Sequence, residues 1–328
     1  MKAVVATRYG GPAGVALVDR PEPEVGPRDV LIAVRAASLN PLDFKIREGK
    51  LKMVMRMPMP IALGCDVAGV VTRVGAEASR FAVGDEVYAR LEKGRMGGLA
   101  ELVAADEQVI ARKPARATFE QAAAIPLAAL TALQALRESA ALVEGQRVLI
   151  QAGAGGVGSL AIQIAKILGL HVTTTTSTRN VDFVKQLGAD DVVDYTQAEV
   201  GARELDAAFD TLGTSERASI AAVKRGGTVV GVGGLPDAAF AKARLPAFAR
   251  PVIWLATWGR RRAAAARGVK FTYLFMRPDG AQLAELARWI DDGKLEPIVH
   301  RSYPLAEFAE AFAELERGRA RGKIVVTC

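Results

Sequence analysis

Cysteine and histidine are almost absent from this sequence, and each shortage closes off a chemistry. Two cysteines, Cys65 and Cys328, cannot build a disulfide framework; they fit a reducing compartment, so a cytoplasmic location is expected. Two histidines, His171 and His300, added to two scattered cysteines, make no expected protein metal site. Cys65 stands in a turn-to-strand segment with no histidine near it in sequence, so it reads as a packing residue, and Cys328 is the last residue of the chain. His171 reads as a packing residue at the start of a strand, His300 as a surface or hinge residue. Long apolar runs are lacking too. The longest candidate, residues 122–133, is broken by Pro126 and falls short of the ~20 residues that a membrane-spanning helix needs. The opening MKAVVATRYGG has no apolar run long enough for a signal peptide.

What is present is an ordinary globular composition. The 328 residues are half hydrophobic and about a quarter charged, a length that suggests two domains. The net charge of +7 permits phosphorylated ligands or acidic surfaces. That charge is uneven: Arg250, Arg260, Arg261, Arg262, Arg267 and Lys270 crowd one short region, directly after an apolar stretch that carries Leu245, Phe248, Trp254, Leu255 and Trp258. Such a stretch suits an interfacial helix, a subunit contact or a lid. Without aromatics interleaved on a recognised sheet, or a reading helix, nucleic acid is not an expected partner.

The first 115 residues are β-rich, with β-branched runs at 30–36 and 67–74 separated by Gly- and Pro-containing turns. The rhythm changes near Thr118, which reads as the N-cap of a short helix over 118–124; a longer helix is predicted over 127–139. After Gly145 strands and helices alternate: strands at 147–151, 171–176, 192–193, 207–210 and 228–232, and helices at 156–168, 181–187 and 215–223. This alternation predicts a parallel, doubly wound sheet. Residues 269–276 read as a strand, 281–292 and 305–317 as helices, and 323–327 as a closing strand.

Within this pattern, Gly153, Gly155 and Gly158 fit G-x-G-x-x-G between a strand and a helix. Gly153 is read as permitting the tight turn, Gly155 as letting backbone approach a pyrophosphate, and Gly158 as letting the helix lie close to the strand. The helix N-terminus offers unpaired N–H groups to phosphate. An NAD site usually ends the next strand with a carboxylate for the ribose 2′-hydroxyl. Here the strand 171–176 runs into Ser177, Thr178, Arg179 and Asn180, hydroxyls, a guanidinium and an amide that suit a 2′-phosphate. The expected cofactor is therefore NADPH.

Several segments together resemble the medium-chain dehydrogenase/reductase superfamily, in its zinc-independent quinone oxidoreductase branch. They are Gly64-Cys65-Asp66-Val67-Ala68-Gly69, Asn40-Pro41-Leu42-Asp43-Phe44-Lys45, Leu130-Thr131-Ala132 and Arg321-Gly322-Lys323-Ile324. Ser177–Asn180 and Asp194-Tyr195-Thr196 are most similar to the 2-alkenal reductases and chloroplast envelope quinone oxidoreductase homologues of that branch. The resemblance implies a β-rich, partly barrel-like (GroES-like) catalytic domain over 1–119 and 270–328. It also implies a Rossmann-type domain over 120–269, with an insert at about 236–269, and a cleft holding the nicotinamide. By the same resemblance, Ser177, Thr178, Arg179, Asn180 and Tyr195 surround the 2′-phosphate and adenine, and Gly156 and Val157 the pyrophosphate. Leu212, Val232, Gly233 and Gly234 line the nicotinamide channel; Lys45, Thr131, Gly322 and Lys323 close its other side, with Phe275 and Met276 near the substrate.

The resemblance also shapes the expected chemistry. The zinc-dependent relatives have a cysteine where this chain has Asn40, and a four-cysteine lobe where residues 90–99 hold none. Without a Lewis acid, hydride transfer to a quinone or to the C=C bond of an α,β-unsaturated carbonyl is the expected reaction. Asn40 and Lys45 are the candidate donors for the developing oxyanion. Tyr9 reads as a loop residue that could also reach the cleft. A homodimer and weak contact with a membrane surface are further expectations. A non-catalytic NADPH-binding scaffold and an enoyl-thioester reductase are the alternatives.

Overall fold

The computed structural model describes residues 1–54, 57–201 and 203–328. They form two compact units, Met1–Leu130 with Arg277–Cys328, and Thr131–Met276. The sequence reading draws its boundaries at 119/120 and 269/270; here the first break falls inside the helix Pro126–Leu133, and the second follows the strand Lys270–Tyr273.

In the first unit the long strand Asp29–Ser38 organises a seven-stranded sheet. One edge pairs antiparallel with Asp66–Val74, which in turn pairs with Glu86–Arg90, and that with Ile110–Arg112. Its other edge is shared: Leu102–Asp106 takes the N-terminal half, and Lys323–Thr327 the C-terminal end. The closing strand thus completes a sheet begun near residue 29, and Val299–Pro304 lies parallel beside it. A smaller sheet joins Val15–Asp19, Lys2–Ala6 and Ile61–Ala62. Apolar side chains of both ends of the chain, from Val4 and Ile32 to Phe312 and Val326, share one core. Tyr88 is fully buried there and donates its hydroxyl proton to the Leu283 carbonyl, 2.6 Å away on the helix Gly280–Asp291. Tyr9 is held locally: its hydroxyl donates to the Met57 carbonyl and Lys52 Nζ sits 3.7 Å over its ring.

The helix expected at Thr118 forms as Phe119–Ala123, with a reciprocal cap: Gln121 N donates to Thr118 Oγ1 at 3.2 Å, and Thr118 N to Gln121 Oε1 at 3.0 Å. The single helix expected over 127–139 is divided. Pro126, which needs no amide partner, starts an α-helix that ends at Leu133, and the chain continues as a wider π-helical turn over Gln134–Ser139.

The second unit is a six-stranded parallel sheet in the order Asp191–Asp194, His171–Thr176, Arg147–Ile150, Leu205–Asp210, Val223–Gly231, Lys270–Tyr273. Counted by first appearance this is 3-2-1-4-5-6, the doubly wound arrangement in which the strand order, not the strand direction, reverses beside the first strand. Helices Gly156–Ile167, Val181–Gln186 and Glu216–Ala222 connect the strands. His171 Nε2 lies 2.9 Å from the Asp191 carboxylate on the adjoining strand.

Replacing Tyr88 with Phe is expected to lower unfolding stability by about 1 kcal/mol with an unchanged urea m-value, since one buried hydrogen bond is lost and no volume. Equal urea midpoints for the two proteins would show that this bond contributes nothing.

Candidate active site

The parallel sheet gathers most of the candidate residues of the second unit at one edge. Gly153–Gly158 follow the strand Arg147–Ile150, and Ser177–Asn180 follow His171–Thr176. Leu212 follows Leu205–Asp210, and Val232–Gly234 follow Val223–Gly231. Tyr195, Phe275 and Met276 follow the two outer strands. All six strands run the same way, so all these residues lie beyond their carboxyl ends, where open α/β sheets bind ligands. The glycine turn touches the neighbouring strand: Gly153 N donates to the Thr175 carbonyl (2.9 Å) and Ala152 N to Thr175 Oγ1 (3.0 Å).

The glycine turn gives Gly153 and Gly158 reasons different from those read in the sequence. The left-handed residue is Ala152, at φ 54°, not Gly153. Gly153 is glycine because a Cβ there would stand 2.2 Å from Thr174 Oγ1. Gly158 is glycine because a Cβ would stand 2.2 Å from the Ala152 carbonyl: the helix presses on its own loop rather than on the strand. Gly155 differs from both. Its φ of −78° suits any residue, and a Cβ would meet nothing nearer than the Ala152 carbonyl at 3.3 Å. Conformation does not demand glycine there, and a side chain would need only a shift of a few tenths of an ångström, so position 155 is the most open of the three. The first intrahelical bond, Ser159 N to Gly155 O, leaves the N–H groups of Gly156, Val157 and Gly158 without helical acceptors, beside that open position.

At the end of the neighbouring strand no carboxylate follows in sequence, but the fold brings one in from the side. Asp194 accepts the Thr178 hydroxyl proton at 2.6 Å and also bonds to Thr196 Oγ1 and N. These hydrogen bonds hold its carboxyl below the usual aspartate range. Thr178, expected among the phosphate ligands, thus has its proton committed to Asp194. Asn180 Nδ2 donates to Ser177 Oγ at 3.3 Å, which leaves the Ser177 proton directed elsewhere. Arg179 and Tyr195 are exposed.

The first unit holds a second constellation, fully buried. Gly64, at φ 92°, brings Cys65 and Asp66 under the helix Pro41–Arg47. Asp66 Oδ2 accepts from Asn40 Nδ2 (2.9 Å) and Ser38 Oγ (3.1 Å), and its Oδ1 from Leu127 N (3.0 Å). Asp43, third residue of that helix, accepts from Asn40 N and Gly64 N. Lys323 Nζ donates to the Leu39 carbonyl (2.8 Å) and Asn40 Oδ1 (2.5 Å), 4.0 Å from Asp66. Burial pushes Asp43 up to about 6, raises Asp66 and the Cys65 thiol, and lowers Lys323. Among the expected site residues of this unit, Asn40 and Lys323 therefore meet each other. Asn40 is 1% exposed, its Nδ2 also contacts the Ser38 carbonyl and Cys65 Sγ, and its carboxamide is engaged within the cluster. Lys45 lies half-buried on the same helix, and Gly322, at φ 76°, turns the chain into Lys323; Thr131, the first residue of the second unit, is buried in the helix Pro126–Leu133. Sequence reasoning passed over Asp43, Asp66 and Asp194. For Asp43 the available signal was the spacing Asn40-Pro41-Leu42-Asp43, a cap with an acceptor at its third position.

Two family descriptions match the chain: "Alcohol dehydrogenase GroES-like domain" over residues 26–115 and "Zinc-binding dehydrogenase" over residues 187–326. The chloroplastic NADPH-dependent alkenal/one oxidoreductase of Arabidopsis thaliana is 36% identical over 99% of this chain and 79% of its own. The 2-methylene-furan-3-one reductase of Solanum lycopersicum is 35% identical over the same shares. The solved quinone oxidoreductase of Coxiella burnetii superposes with a TM-score of 0.85 at 34% identity, covering 100% of this chain and 99% of its own. The second description names zinc, and the residues do not fit it. Among the described residues no three His, Cys, Asp or Glu side chains cluster to hold a metal. The buried carboxylates beside Cys65 already have a cation, the Lys323 ammonium.

Two comparisons test this geometry. Gly158→Ala is expected to lower stability by about 1–3 kcal/mol, because a backbone carbonyl must move, whereas Gly155→Ala keeps the melting temperature and weakens dinucleotide binding about tenfold or more. Thermal melts with titrations read both, and a Gly155→Ala protein that binds normally would refute the ligand argument. The second concerns Asp43. Its folded value lies above 3.8, so the proton it holds stabilises the fold fully below pH 3.8, and that contribution is lost as pH rises through about 6. Urea unfolding at stepped pH should show a wild-type decline of at most about 3 kcal/mol across this window. Asp43→Asn lacks that decline, and parallel curves for the two proteins would show that Asp43 titrates normally.

Proposed function

The chain belongs to the medium-chain dehydrogenase/reductase superfamily, in its zinc-independent quinone oxidoreductase branch, and from that premise we infer that it is an NADPH-dependent reductase of quinones and of α,β-unsaturated carbonyls. One observation carries the choice of cofactor. The glycine turn with its open position at Gly155 touches a strand that ends in Ser177 and Arg179 rather than a carboxylate. When bound there, NADPH supplies a hydride from its nicotinamide ring to the β-carbon of an enone or to a quinone.

The chain's own residues bind, orient and stabilise charge. The N–H groups at Gly156 and Val157 face the pyrophosphate, with the helix dipole behind them. Arg179 and Ser177 take the 2′-phosphate. Thr178 and Asp194 act by holding each other and so fix the loop that carries Arg179. Tyr195 offers an exposed ring beside this pair for the adenine. Leu212, Val232, Gly233 and Gly234 line the path toward the nicotinamide, with Thr131, Phe275 and Met276 as further lining. Both acceptors develop negative charge on oxygen, which a pre-positioned donor stabilises. Asn40 has its amide protons engaged and Lys323 its ammonium, so Lys45 is the cation left for that charge or for the cofactor; Asn40 and Lys323 position it by fixing the start of its helix. The protein acts as a homodimer, as the family resemblance implies, and its two unpaired thiols suit a reducing compartment such as the cytoplasm.

Arg179→Ala is expected to cost roughly 1.5–3 kcal/mol of NADPH binding, about 10–150-fold, and to leave NADH binding nearly unchanged. Fluorescence titration with both dinucleotides measures this, and equal losses for the two would remove the 2′-phosphate assignment. A steady-state panel of quinones, short enals and an enoyl thioester under NADPH identifies the acceptor. No NADPH oxidation across the panel would leave a dinucleotide-binding protein without this reductase activity.

A further inference from the structure

Between residues 238 and 270 the chain has eight lysines and arginines and no aspartate or glutamate. That surplus exceeds the whole protein's net charge of +7, so the remainder of the chain is nearly neutral. The segment folds as three helices, Ala238–Arg244, Ala249–Ala256 and Trp258–Arg267. A few anchors fasten it to the second unit. Asp237 caps the first helix through Phe240 N and accepts from Tyr273 N. Arg260 donates to Glu216 and to the Leu235 and Pro236 carbonyls, 4.0 Å over the Phe271 ring. The two carboxylates beside the segment, Glu216 and Asp237, are consumed by these contacts.

The outward face carries large apolar side chains where soluble proteins carry few. Phe248 is 77% exposed, Leu255 71%, Val252 65%, Trp254 52% and Trp258 50%. Arginines stand over both indoles: Arg261 lies 4.3 Å from the Trp254 ring and Arg262 5.4 Å from that of Trp258. Exposed tryptophans roofed by arginines, beside aliphatic side chains and free of carboxylates, match the boundary between lipid headgroups and acyl chains. We propose that this face, built from Phe248, Val252, Trp254, Leu255 and Trp258 with the surrounding cations, docks on an anionic membrane surface. Charge complementarity selects that occupant. A second copy of the same face would set one basic patch against another, and a nucleic acid would leave the aliphatic residues in water. The proposal stands apart from the reductase chemistry, since no residue in it belongs to the cofactor site.

Sedimentation with vesicles tests it on the full chain, using phosphatidylcholine alone and with about 30% phosphatidylserine. The protein is expected to pellet with the anionic vesicles only and to be released when salt rises from about 0.1 to about 0.5 M. Lys242→Glu with Arg244→Glu, and separately Val252→Ser with Leu255→Ser, should each reduce binding about tenfold or more while NADPH oxidation and melting temperature stay at the wild-type value. Equal binding to neutral vesicles, no binding, or binding undisturbed in both variants overturns the proposal. So does a light-scattering mass that falls from dimer to monomer in the Val252→Ser, Leu255→Ser protein, which would make the face a subunit contact, or retention of RNA in preference to vesicles.

Discussion

One buried carboxylate organises the first unit. Asp66 is wholly removed from water, and such a charge is tolerated only when its oxygens are satisfied and a countercharge stands near. It is met by Ser38, Asn40, the amide of Leu127 and the ammonium of Lys323, groups drawn from three distant stretches of chain. Satisfying Asp66 therefore brings the end of one strand, the start of two helices and the closing strand to a single point. The same contacts orient Asn40, whose amide oxygen faces Lys323 and whose nitrogen faces Asp66, and they set the first turn of the helix that bears Lys45. Loss of Asp66 or Lys323 would leave the other's charge buried without a countercharge, and loss of a neutral partner would leave a buried polar atom unsatisfied.

The second unit depends on close approach rather than on charge. Its glycine turn is compressed until the Ala152 carbonyl and Thr174 hydroxyl occupy the space that side chains at 158 and 153 would fill. Compression on those two sides leaves Gly155 open on the third, and the free amides of the following helix border that opening. The preference for a 2′-phosphate rests on a neighbouring detail. Asp194, at the end of the adjoining strand, is turned toward Thr178 and Thr196, and the exposed Arg179 follows Thr178 in the same loop.

A reductase whose acceptors are quinones and enals works on apolar molecules that partition into lipid. A basic, tryptophan-bearing face would hold the enzyme where such acceptors accumulate, and it would do so without a spanning segment: among the described residues no helix is long and apolar enough to cross a membrane. Binding at the surface and catalysis then draw on separate residues of the chain, and either can change without the other.

Local patterns in the sequence determined the alternation of strands and helices after Gly145, the cap at Thr118, the glycine loop and the run from Ser177 to Asn180, because spacing, caps and turn residues act over a few positions. The doubly wound order followed, since short right-handed crossovers leave few alternatives. The β-rich first unit was legible only as a class. The strands 86–90 and 102–106 are paired by partners about twenty residues away or more, and no local period announces such a register. The tertiary structure alone decided which carboxylates meet which amides. Asp66 and Lys323 lie far apart in sequence, and Asp194 reaches Thr178 from another strand. The burial that gives them their roles is a property of the packed chain, and spacing along the sequence carries no measure of it.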